Sequence, residues 1–156
     1  MAAVPNVELM TLTVFISGIF TGPRYGALTG FLSIIIFSLF NPYGPALPPL
    51  LAAQVAGFTL AGAAGGLMRG ILRQGGMITA ALSGFFITLF YDILTTLASA
   101  YIAFGSENFI DGLIGFFAAS GFFILVHTGI NTLIFSQAVT AVTRFSFIDD
   151  AYKSVL

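Results

Sequence analysis

The feature that most constrains this chain is a series of long apolar stretches with almost nothing charged inside them. Five such runs, 7–21, 27–40, 49–68, 77–103 and 110–142, are separated by short polar or glycine- and proline-rich breaks. A helix crossing a hydrocarbon core of about 30 Å needs about 20 mostly apolar residues. The last three runs reach that length, and the first two do so only by borrowing turn residues. A β-barrel would show segments of about 10 residues with alternating polarity; continuous apolar runs stand here instead. Of 156 residues, 58% are hydrophobic and 7% charged, with a mean hydropathy of +1.03, against roughly 25% charged in a soluble domain. A soluble enzyme, a nucleic-acid binder and a disordered tail are all excluded by that balance. The expectation is an all-α polytopic membrane protein, one domain over residues 1–156 with a short tail at 143–156.

The few charges carry topological information. Arg24 follows the first run, Arg69 and Arg73 the third, and Arg144 and Lys153 the fifth, so all five basic residues fall on one side. Basic residues mark the cytoplasmic side of a bilayer, which places the C-terminus there. Glu8, Glu107 and Asp111 fall on the opposite side. The first run then begins outside, yet residues 1–6 contain nothing resembling a signal peptide. Pro5-Asn6 reads as the turn after an earlier helix, so a further span ahead of it is expected; a five-span chain with an external start is the alternative. No cysteine is present, which removes disulfides, thiolate metal sites and a thiol nucleophile.

Polar groups inside hydrocarbon are costly and need a partner or a task. Asp92 lies within the fourth run, with Thr96 one turn away on its face as a candidate hydroxyl partner. His127 and Asn131 are four apart on the fifth run and share a face, with Thr128 beside them. At about 1.5 Å per residue, Asp92 lies about 16 Å and His127 about 25 Å from the outer ends of their runs. On that count they are not level, and a direct pair needs tilt or a ragged helix start. Metal binding by one His and one Asn is disfavoured, since a transition-metal site wants further imidazoles or thiolates. Gln54 is the strongly polar side chain of the third run, near its outer end. Glu8 and the Asn41-Pro42-Tyr43 turn border the same outer region.

Small residues recur at helical spacing: Gly26 with Gly30, and Ala53, Gly57, Ala61 and Gly65 along the third run. Such ridges let helix backbones approach closely, and packing within the bundle is their expected use. No P-loop, HExxH or GxSxG pattern occurs, so any energy source resides in another protein or in an ion gradient.

Read in order, several segments resemble one family. They are Pro5-Asn6-Val7-Glu8-Leu9, Gly22-Pro23-Arg24 with Gly26-Ala27-Leu28, Asn41-Pro42-Tyr43-Gly44, and Leu51-Ala52-Ala53-Gln54. Tyr91-Asp92-Ile93-Leu94-Thr95 and Val126-His127-Thr128-Gly129-Ile130-Asn131-Thr132 continue the pattern. Together they resemble the substrate-binding S components of energy-coupling factor (ECF) transporters. The resemblance implies a bundle of six helices, of which the first is missing here, in a prokaryotic cell membrane. It implies a vitamin-like small molecule bound near the outer face, a transmembrane coupling subunit and paired ATPases as partners, and no enzymatic activity or cofactor of its own. Carried over by position, it points to Asn6, Glu8, Asn41, Tyr43, Gln54, Asp92, Thr96, Asn108, His127 and Asn131 as substrate-binding residues. Two other classes stay open: a membrane-embedded enzyme using Asp92 and His127 as acid and base, and a structural subunit packing through its glycine ridges.

Overall fold

A computed structural model of the chain describes residues 9–41 and 44–144. They form four helices, α1 (Leu9–Thr21), α2 (Pro23–Leu39), α3 (Pro48–Phe104) and α4 (Phe109–Arg144), with no strand among the described residues. Asn6, Glu8, Tyr43 and Lys153 lie outside the described residues.

The breaks between apolar runs are tighter than the sequence implies. Gly22 alone (φ 87) separates α1 from α2, which starts at Pro23 and so ahead of the expected 27. Proline suits a first helical turn because its missing N–H has no helical partner there. The expected break at 69–76 is likewise mostly helical. Arg69 and Arg73, both good helix formers, prolong the third run as far as Gly75, and only Gly76 leaves helical geometry, at φ 58 and ψ −145. A side chain at that φ would clash with its own backbone, so glycine is what permits the reversal. Here α3 doubles back on itself. Phe58 and Tyr91, which a straight helix would hold far apart, meet with ring centroids 5.3 Å apart, and the Ser83 hydroxyl reaches Met68 Sδ at 3.9 Å. The two arms of α3, 48–75 and 77–104, correspond to the expected third and fourth runs.

Helices α1 and α2 lie against the first arm through glycine. A methyl group built on Gly18 or on Gly26 would land on the Gly62 carbonyl, and one on Gly62 would land on the Gly26 carbonyl. Three helix backbones thus touch at one level. One turn away, Gly30 abuts the Phe58 carbonyl and Gly65 the Phe15 carbonyl. The expected Gly26–Gly30 and Gly57–Gly65 ridges are therefore used inside the bundle, and Gly62 and Gly66 add a second ridge on the same arm.

The apolar core joins Leu12, Phe15 and Ile19 of α1 to Leu72 and Ala80 of α3 and Phe135 and Val139 of α4. Its centre is the Phe15–Phe135 pair, 5.3 Å between centroids. Elsewhere the usual distribution is inverted. Asp92, His127, Asn131, Thr88 and Ser136 are buried, whereas Phe122 (79% exposed), Leu125 (74%) and Ile78 (74%) face outward. Helices α3 and α4 are each long and apolar enough to cross a membrane, and only 6% of the most apolar stretch of α4 is buried inside the bundle. A soluble protein would hide such a helix; the arrangement is compatible with a membrane protein. As described, α1 and α2 have 13 and 17 residues, shorter than the span length above.

Candidate functional site

The site is built on two facing stripes. Along the second arm of α3, Ala80, Gly84, Thr88, Asp92, Thr96 and Ala100 recur every four residues, and all are buried. Four-residue spacing keeps them on one slowly drifting face. Opposite, α4 buries Ile124, His127, Thr128, Asn131 and Phe135. Small side chains at both ends of the α3 stripe let the helices close together, and Phe135 seats directly on Gly84. What remains between them is polar.

Asp92 and His127 form a direct pair, with His127 Nδ1 2.8 Å from Asp92 Oδ1 and both side chains 5% exposed. The other carboxylate oxygen accepts from the Thr128 hydroxyl at 3.3 Å. On the far side of the ring, Asn131 Nδ2 lies 2.9 Å from His127 Nε2. Phe123 flanks the imidazole at 5.7 Å, and Tyr91, next to Asp92, packs edge-on against Phe58 of the first arm.

This corrects the sequence expectation that Asp92 and His127 sit at different depths. That count assumed both helices start level at the 105–108 turn. Phe104, the last residue of α3, instead packs on Phe116, two turns into α4. The 2.8 Å contact itself shows residues 92 and 127 to be level, with α4 displaced along α3 relative to that count. Thr96 is corrected as well: it is buried one turn from Asp92, but the hydroxyl that Asp92 accepts is that of Thr128.

The remaining expected residues are more dispersed. Gln54 is half-buried on the first arm of α3, one turn from Phe58 and hence near the level of Thr96. Asn41 is half-buried just past α2, and Asn108 is exposed in the turn before α4. Asn6, Glu8 and Tyr43 fall outside the described residues. Thr88 was not singled out, although it lies one turn from Asp92 on the same face; the four-residue stripe from Ala80 to Ala100 is the signal that finds it. Asp92 itself is 4% exposed. Cavities of about 550 Å³ beside Leu133, Gln137 and Ala141 and of about 270 Å³ beside Met68, Leu82 and Phe86 are lined by other residues. Among the described residues no group of three His, Asp or Glu side chains is placed to hold a metal ion.

Comparisons with protein-family models, with curated proteins and with solved structures returned no match. The chemistry of the cluster therefore has to speak for itself. An Asp–His pair is the orienting half of an acid–base dyad, but the nitrogen that would relay a proton to a nucleophile, Nε2, is taken by an amide.

Proposed function

We propose that this chain is an integral membrane protein that binds a vitamin-sized solute, the S component of an ECF-type importer. Its five apolar segments (α1, α2, the two arms of α3, and α4) each cross the bilayer, with the arginines on the cytoplasmic side. The coupling subunit and ATPases that drive uptake are separate proteins. The observation that carries this reading is the Asp92–His127–Asn131 cluster, fully enclosed between helices whose outer faces are apolar. Ionisable groups inside a membrane bundle are retained mainly where they meet a substrate or ion. The first arm of α3 packs beside this region through Phe58, which meets Tyr91 of the second arm.

Two outcomes are expected. Reporter tags at Arg73 and after Leu156 should read cytoplasmic, and one at Ser106 external; an external reading at Arg73 would sink the orientation. In a thermal-shift panel of vitamins, one compound should stabilise the purified protein, because a ligand that binds only the folded form raises stability. Asp92→Asn should then cost about 1–3 kcal/mol of binding, the scale of a hydrogen bond to a charged group. If Asp92→Asn melts early but binds that compound normally, the carboxylate is only helix glue and the site lies elsewhere.

A further inference from the structure

We propose that the Thr88 hydroxyl is a second contact point for the solute received at Asp92. The solute then carries two hydrogen-bonding groups about 6 Å apart, the rise of four helical residues at about 1.5 Å each. The proposal rests on the carrier reading and adds one contact residue and a requirement on the solute's shape.

Hydroxyls in this bundle have a partner close at hand. Thr21, Thr29, Ser83, Thr95, Thr132 and Thr143 each donate to the carbonyl one turn behind them, at 2.7–3.0 Å. Such back-bonding satisfies a hydroxyl within its own helix. The Gly84 carbonyl stands one turn behind Thr88 in the same way. Thr88 Oγ1 nevertheless has no hydrogen-bond partner, and the residue is 1% exposed. A buried polar atom left unmatched is costly and calls for an explanation.

Its place in the fold supplies one. Thr88 belongs to the buried stripe of α3, one turn from Gly84 and one turn from Asp92. Gly84 faces Phe135 and the Asn131 carbonyl, and Asp92 faces His127 and Thr128. Thr88 therefore lies against the stretch of α4 between Thr128 and Asn131, on the same face as the carboxylate. A hydroxyl both donates and accepts, so the position suits a carbonyl, a hydroxyl or a ring nitrogen, whatever the solute's charge. Among the described residues, Thr59 also has an enclosed hydroxyl without a partner. It lies where Gly30 of α2 abuts the backbone of the first arm, off the Asp92 stripe, and so serves as an internal control.

The experiment uses the intact protein in lipid nanodiscs, with thiamine, riboflavin, pyridoxine, nicotinamide, biotin and pantothenate as probes. Thermal shift finds the probe that stabilises the wild type, and calorimetric titration measures its affinity for each variant. Thr88→Val keeps the shape and removes the hydroxyl, so affinity should fall about tenfold, the size of one hydrogen bond left unmade. The free variant should melt no lower than the wild type, because no bond within the protein is lost. Thr88→Ser keeps the hydroxyl and should restore most of the affinity. Thr59→Val should behave like Thr88→Val in melting and bind like the wild type. Asp92→Asn should weaken the same probe, since one molecule spans both groups. If Asp92→Asn weakens binding and Thr88→Val does not, the proposal is overturned and the carrier reading stands. Equal weakening by Thr59→Val and Thr88→Val would also overturn it, since the effect would then be one of packing. Silence across the whole panel would sink the carrier reading, and this contact with it.

Discussion

Valine at Gly62 is expected to abolish the folded protein. Gly62 stands where α1, α2 and the first arm of α3 meet backbone to backbone, and even a methyl group there would fall on the Gly26 carbonyl. Carbonyl groups of packed helices cannot swing aside as a flexible side chain can, so the helices themselves would have to part. Overpacking a tight interior costs about 1–3 kcal/mol, which sets the expectation for Gly62→Ala. The branched side chain of Gly62→Val adds two more methyl groups to the same contact. Detergent-extracted Gly62→Ala should melt clearly below the wild type, and Gly62→Val should yield little or no monodisperse protein. Gly70→Ala is the control, since a methyl group there meets nothing within 4 Å and alanine is the better helix former. Equal melting of the Gly62 and Gly70 variants would refute the three-helix contact.

The second large effect concerns the buried pair. His127→Ala removes the 2.8 Å partner of Asp92 and leaves a carboxylate enclosed with only the Thr128 hydroxyl. Stripping one member from a buried ion-type pair costs about 3–5 kcal/mol. Asp92→Asn should cost far less, about 1 kcal/mol, because an amide oxygen still accepts from Nδ1. Adding Asp92→Asn to His127→Ala removes the stranded charge, so the double variant should be more stable than the two single losses predict. Partners in direct contact show coupling energies of about 0.5–3 kcal/mol. Unfolding of all four proteins in one denaturant series measures it, and strictly additive losses would mean that the two side chains do not meet.

Asp92, His127 and Asn131 stood out in the sequence for one reason: each is a strongly polar side chain inside an apolar run, and such residues face inward. Their mutual register did not stand out. It depends on how α4 is displaced along α3 beyond the 105–108 turn, where Phe104 meets Gly112 and Phe116, contacts with no local signature. Spacing points from Asp92 to Thr96 on its own helix, and only the packing of α4 on α3 brings the Thr128 hydroxyl to the carboxylate instead. The segmentation of the fold was readable for the same reason as the buried residues, since glycine and polar residues interrupt the apolar runs where α1, α2, the α3 arms and α4 begin and end. Arg69 to Gly75 misled because charge and glycine look like a loop, whereas a single positive φ at Gly76 suffices to turn the chain.

Phe135 on Gly84 has a wider consequence. Beyond the Asp92 cluster, toward the arginine end, the bundle interior passes directly into Phe135, Phe15, Leu72 and Val139, all at most 1% exposed. The Phe135 side chain fills the space that a Cβ on residue 84 would occupy, so the layer closes only because α3 offers no side chain there. Any residue larger than glycine at position 84 would wedge α3 and α4 apart just beside the Asp92 cluster.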